Sequence, residues 1–145
     1  MTAQACERLL MLGEEHSMCT EPLDHYFHYA GVRPELFWPS TDLWRGYIGT
    51  WEIRDDRLYL LGVKGQYEDG TQLTLEAIFP GFPSRVFAHW FTGTLRVVQG
   101  ELIRYVHSGY ASTYEMDLLI DVEFGVVIAR RFRHNDPADD RYGDE

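Results

Sequence analysis

The sequence predicts a mainly β protein: an antiparallel meander of about seven strands, closing into a barrel-like form or a curled sheet, preceded by one N-terminal helix. Three observations carry this expectation. In the stretch 44–54, Tyr47, Gly49, Trp51 and Ile53 alternate with Ile48, Thr50 and Glu52, the period of two that a half-buried strand requires. Turn-forming residues, Asp55-Asp56, Gln99-Gly100 and Gly125, separate such stretches at short intervals. An ungapped internal shift also superposes Phe37-Trp38-Pro39-Ser40 on Gly81-Phe82-Pro83-Ser84 and Gly49-Thr50-Trp51-Glu52-Ile53 on Gly93-Thr94-Leu95-Arg96-Val97. The same register brings Leu58 onto Leu102, Gly65 onto Gly109 and Leu75 onto Leu119, so a duplicated unit of about 44 residues is preferred over coincidence.

The elements follow in order. Residues 2–15 read as an amphipathic helix, because Ala5, Leu9 and Leu12 recur at helical spacing and Gly13 stands near the end. Residues 21–39 hold three prolines and read as connecting structure, with a short element at 23–30. The first β unit, 37–80, contains a hairpin over 44–63 and a third strand at 73–79. The second, 81–124, repeats the hairpin as 91–98 and 102–107 around Gln99-Gly100, then adds a strand at 114–123. A last strand spans 126–133, and 135–145 is an acidic tail with five acids and one base. All of this is expected to form one domain over residues 1–145.

Composition narrows the function classes. The 145 residues carry 13 Lys and Arg against 23 Asp and Glu, a net charge of -10 that disfavours nucleic acid as a partner. With 45% apolar and 14% aromatic residues the chain has enough apolar surface to fold. No run approaches the roughly 18 apolar residues that span a bilayer, and Leu9-Leu10-Met11-Leu12 follows Glu7-Arg8 in the wrong order for a secretory signal. No membrane and a cytoplasmic location are therefore expected. Cys6 and Cys19 show no C-x-x-C pairing, so reduced thiols are expected, and His16 near Cys19 is too generic to mark a nucleophile. No feature sets an oligomeric state.

Few constellations point to chemistry. His25 and His28 would share a helix face but lack a third ligand at diagnostic spacing, and His89 and His107 both fall in the second unit without counterparts in the first. Trp44-Arg45-Gly46-Tyr47 is the most distinctive run, because an Arg between large aromatics can stack while its fork holds a carboxylate or phosphate. The plainer alternative is a core cluster in which Arg45 pairs with an internal acid such as Asp42 or Glu52. Trp44, Arg45, Tyr47, Trp51 and Trp90 are the candidate ligand-binding residues. Asp117, Asp121 and Glu123 form an alternating row that could face a basic partner or simply be solvated. No nucleophile elbow, P-loop or dinucleotide fingerprint occurs, so no catalytic residue, metal or cofactor is predicted.

Two resemblances add to this reading. Gly49-x-Trp51 is similar to the short Gly-x-Trp element on the first strand of lipocalin-like barrels. The run 43–53 with Leu58-Tyr59-Leu60, the block 91–96 with Gly100-Glu101-Leu102, and the stretch 110–119 together resemble a widespread set of small bacterial proteins without an assigned activity. That resemblance covers most of residues 22–128 and implies a bacterial, single-domain protein, with no catalytic residue to carry over.

The leading expectation is a non-enzymatic acidic module that binds a basic protein, as an immunity-type neutraliser of a toxin or nuclease would. The alternative is a small-molecule-binding β-barrel with Trp44, Trp51 and Trp90 lining a pocket. An enzyme of unspecified chemistry comes third.

Overall fold

The structure, a computed structural model, describes residues 4–37, 42–104, 110 and 112–135. His107, Trp38-Pro39-Ser40 and the acidic tail from Asp136 onward, all named above, lie outside those residues.

Among the described residues ten elements succeed one another: β1 (Glu7–Met11), β2 (Glu14–Met18), α1 (Pro22–Ala30), β3 (Tyr47–Arg54), β4 (Arg57–Gly65), α2 (Leu75–Ile78), β5 (Val86–Phe87), β6 (Gly93–Arg104), β7 (Thr113–Glu123) and β8 (Val126–His134). The strand order β3-β1-β2-β6-β7-β8-β4 returns to β3 through the β3–β4 hairpin, so seven strands close a barrel, with β5 paired outside on β4. Closure removes the open edges that a seven-stranded sheet would expose.

The mainly β, barrel-forming expectation holds, with five corrections. The N-terminal segment is a β-hairpin, not a helix: β1 and β2 pair antiparallel from Glu7 opposite Met18 to Met11 opposite Glu14. Its alternation is Glu7, Leu9, Met11, and Glu7 reads as an outward polar residue until its buried partners are known. The turn Leu12-Gly13 has φ of 50° and 79°, the doubly positive signature of a type I′ hairpin, which Asp55-Asp56 and Phe124-Gly125 share.

The second correction concerns topology. β1 lies parallel to β3, Arg8 opposite Thr50, which inserts the N-terminal hairpin between β3 and β6 and makes the barrel mixed where an antiparallel meander was expected. Third, the hairpin expected around Gln99-Gly100 is absent. β6 runs through it as one strand, absorbing Gly100 at φ 80° in a register shift between Gln99 and Leu102, so the 44-residue register aligns a hairpin with a single strand. Fourth, the strand expected at 73–79 is the short helix α2, which Thr74 caps by accepting from the Ala77 amide.

Fifth, Cys6 and Cys19 form a disulfide, with their Cα atoms 4.7 Å apart, where reduced thiols were expected. The β1–β2 register explains the pairing, since it carries residues 6 and 19 opposite one another just beyond Glu7 and Met18. Cys19 is thus no nucleophile for His16 to activate.

Apolar residues of the inward rows, Leu9, Met18, Trp51, Leu58, Leu60, Leu95, Val97 and Ile120, are fully buried and fill the barrel. The short element expected at 23–30 is α1, which plugs the end where β1 and β3 begin. Its Leu23 and Phe27 are buried, Phe27 meets Tyr47 edge-on at 6.0 Å, and Tyr26 packs against Phe79 and Trp90 at 4.5 and 5.0 Å. The opposite end carries the tips of the β1–β2 and β3–β4 hairpins. There β4 and β8 meet only briefly, Arg57 opposite Val126, and beyond that seam β8 pairs with β7.

Candidate functional site

Polar chemistry collects at the α1 end around Glu7. The first inward position of β1 puts its carboxylate inside the barrel, with none of the side chain exposed. Glu7 Oε2 accepts from Arg45 Nη2 at 2.7 Å, Arg45 Nε at 3.1 Å and the Gly49 amide at 2.9 Å, and Oε1 accepts from Trp51 Nε1 at 2.9 Å. Every donor comes from β3 or the residues leading into it. A buried carboxylate needs this complement, because an unpaired charge there is strongly destabilising. Burial pushes the Glu7 carboxyl upward, against the opposing pull of Arg45, Trp51 and Gly49. Burial, the largest single influence, works against the Arg45 charge, but Glu7, Tyr110 and Glu21 together outweigh it and hold the guanidinium above its ordinary range.

Gly49 is required where it stands. A Cβ there would lie 2.5 Å from Glu7 Oε1 and 2.8 Å from Trp51 Nε1, so the amide reaches the carboxylate only without a side chain.

A second layer lies outside this pair. Arg45 presents its Nε and Nη2 edge to Glu7, and Nη1 stands 3.8 Å from Glu21 Oε2 with no hydrogen-bond partner among the described residues, although the side chain is only 3% exposed. Tyr110 donates its hydroxyl to the same Glu21 oxygen. Asp24, in the first turn of α1, accepts from the Tyr47 hydroxyl at 2.6 Å and pairs with Arg33 at 2.8 Å. Burial, then the neighbouring carboxylates, pushes the Tyr47 hydroxyl far up, and burial raises the Glu21 carboxyl. Gln4, Glu21, Asp24, Arg33, Trp44 and Arg45 line a cavity of about 390 Å³ over this layer.

A larger cavity of about 460 Å³ occupies the other end of the barrel. Its walls are the upper inward positions of the strands: Met11, Ile53, Leu118 and Phe132 give apolar surface, and His16, Gln99 and Arg130 give polar groups. Glu14, Asp55 and Asp56 stand at its rim, with Asp56 paired to Arg130 at 3.0 Å. The barrel is therefore packed through its lower half and hollow at its mouth.

The residues singled out from sequence divide into two groups. Trp44, Arg45, Tyr47, Trp51 and Trp90 do converge at the α1 end. Arg45 has an internal acid as partner, but it is Glu7 and not Asp42 or Glu52. Tyr47 and Trp51 are wholly buried structural parts, and Trp90 packs 6.5 Å from Trp51 while donating to the Pro22 carbonyl at 2.8 Å. Trp44 alone among these aromatics keeps substantial exposure, 40%.

The acidic row lies elsewhere, on the outer face of β7. Asp117 is fully buried, accepting from Arg96 Nε at 3.2 Å and from Arg133. Asp121 accepts from the Thr94 hydroxyl at 2.6 Å and from Arg131, and these two partners, the hydroxyl first, hold its carboxyl below its ordinary range. Only Glu123 of the three is exposed. α1 does carry His25 and His28, but His25 sits edge-on to Phe91 at 4.9 Å.

Sequence reasoning missed Glu7, Glu21, Asp24, Arg33 and Tyr110 at one end and His16, Gln99, Arg130 and Phe132 at the other. The alternation of Glu7 with Leu9 and Met11 was the available signal for the first of these. The rest depend on which strands become neighbours.

No protein-family model, no curated protein and no solved structure matches the chain.

Proposed function

We propose that the protein is a small-molecule-binding β-barrel that takes an amphipathic ligand in its mouth. The hollow upper half of the barrel carries this reading. Its volume of about 460 Å³ falls within the range of ligand pockets, and apolar walls with a few convergent polar groups are the usual composition of such sites. The apolar part of the ligand rests against Met11, Ile53, Leu118 and Phe132, and its polar part meets His16, Gln99 and Arg130. No catalytic step is assigned to these residues.

The alternative of an acidic module for a basic protein partner rests on net charge and on the acids of β7. Two of those three acids are already engaged by arginines of the same chain, which leaves a smaller acidic face to offer. The cavity is the more specific feature, and it favours the small molecule.

The test is a titration of the intact chain with N-phenyl-1-naphthylamine, a neutral dye whose emission rises in apolar surroundings. Saturable binding at one site is expected, together with its loss in Ile53→Trp, which fills the cavity. Absence of saturable binding, or an unchanged affinity in a folded Ile53→Trp protein, overturns the reading.

A further inference from the structure

The cavity at the α1 end is a second site, separate from the mouth, and we propose that it binds a neutral polyhydroxylated ring, the chemistry of a pyranose sugar. The first ground is Arg45 Nη1, which has no hydrogen-bond partner among the described residues and only a 3.8 Å ion pair with Glu21. This nitrogen belongs to a side chain only 3% exposed, and buried polar groups without a partner are rare enough to ask what satisfies them. Its neighbour on the cavity wall is the Glu21 carboxyl, at 3.8 Å too far for a hydrogen bond. A donor and an acceptor left side by side at that separation fit one group above others. A hydroxyl accepts from Nη1 and donates to Glu21 at once, whereas a carboxylate has no proton for Glu21 and an ammonium has no acceptor for Arg45.

The second ground is the charge pattern of the wall. Arg33 and Arg45 face Asp24 and Glu21, and the buried Glu7 stands behind Arg45. A phosphate or carboxylate would meet two acids and a cation would meet two guanidinium groups, so a ligand of either sign is opposed. Both donors and acceptors instead stand on the cavity wall, as the ring hydroxyls of a sugar require.

The third ground is Trp44. Its backbone amide is tied to Gln4 Oε1 at 2.8 Å, and the residue lines the cavity while remaining 40% exposed, whereas Trp51 is fully buried. An indole face offers flat apolar surface to the C–H face of a pyranose, leaving the hydroxyls at the ring edge to reach Arg45, Glu21 and Asp24. The volume of about 390 Å³ accommodates one such ring with room for a substituent.

The experiment is an NMR titration of the intact, isotopically labelled protein with glucose, galactose and N-acetylglucosamine, with gluconate and glucosamine as charged controls. At least one neutral sugar is expected to shift the Trp44 indole N–H saturably, with a Kd near the millimolar range (~1 mM), and each charged control to bind at least about tenfold more weakly. Trp44→Ala weakens the neutral sugar by about tenfold or more, and Ile53→Trp at the barrel mouth leaves it unchanged. Should Trp44→Ala not fold, Trp44→Leu tests the same platform. The proposal is overturned if no neutral sugar moves that resonance up to about 50 mM, if gluconate or glucosamine binds more tightly, or if a folded Trp44 variant binds as well as the parent.

Discussion

Glu7 and Arg45 lie 38 residues apart in the chain and meet inside the barrel, where one carboxylate oxygen takes both Nη2 and Nε of the guanidinium at 2.7 and 3.1 Å. The pair ties the start of β1 to the approach of β3, across the parallel seam that the remaining strands enclose. Removal of one partner leaves either a buried anion or a buried cation. Arg45→Met is expected to lower stability by about 3–5 kcal/mol, and the double variant Glu7→Gln/Arg45→Met to recover part of that loss, because the uncompensated charge is gone. Urea unfolding of the two single variants and the double measures the coupling; additive losses would show that the pair does not act as a unit.

Gly49→Ala probes the same centre sterically. The new Cβ would approach Glu7 Oε1 to 2.5 Å, and neither the carboxylate nor the indole of Trp51 has space to retreat without giving up its hydrogen bond. A loss of about 2–4 kcal/mol is expected, visible as a fall in Tm, whereas Gly62→Ala, where a Cβ meets nothing within 4 Å, changes stability far less.

Stability should vary with pH in the sense set by buried carboxyls raised above their ordinary value of 4.5. In the window above 4.5 the folded chain binds more protons at Glu7 and Glu21 than the unfolded chain does, so stability rises as pH falls through the folded pKa values. Glu21→Gln, which has no proton to take up, is expected to flatten that dependence. Asp121 acts in the opposite sense, its contribution being lost below its ordinary value of 3.8. Denaturant midpoints from about pH 2.5 to 8 check the signs, and a stability that climbs steadily with pH above 4.5 in the parent would contradict those at Glu7 and Glu21.

The disulfide closes a short loop, with Cys6 and Cys19 separated by 13 positions. Breaking it by reduction or in Cys6→Ala/Cys19→Ala is expected to cost about 2–3 kcal/mol. Mass spectrometry of alkylated protein establishes the bond, and melting with and without reductant gives its contribution. Bonds of this kind persist in oxidising compartments and are rare in reducing cytosol, so the redox state of the isolated protein also bears on the cytoplasmic location proposed from sequence.

On the outer face of β7, Asp117→Ala leaves Arg96 and Arg133 without the carboxylate they share and is expected to cost about 3 kcal/mol or more. Glu123→Ala, on the exposed end of the same row, should stay within about 0.5 kcal/mol. Equal, negligible losses at both positions would return the row to the role of a solvated stripe.

The alternation of Tyr47 to Ile53, the turn at Asp55-Asp56 and the density of apolar residues are local, and they are enough to specify strands, one hairpin and the burial of Trp51. The convergence of Trp44, Arg45, Tyr47 and Trp51 was legible for the same reason, since Tyr47 and Trp51 share one alternating face of β3 and Trp44 and Arg45 lead directly into it. The sign of Glu7 was not. Carboxylates are polar by default, and only the arrival of β3 beside β1 with four donors makes an inward Glu tolerable. The N-terminal hairpin shows the same limit: Ala5, Leu9 and Leu12 satisfy a helical period while Glu7, Leu9 and Met11 satisfy a strand, and the tie is broken by pairing partners that local sequence does not contain. The Asp117 to Glu123 row likewise looks solvated until β6 and β8 bring their arginines to it. Residue type and spacing thus decided the β character of this protein and its aromatic core. Strand adjacency, a relation between distant segments, decided which charges are buried, which cysteines bond and which end of the barrel stays hollow.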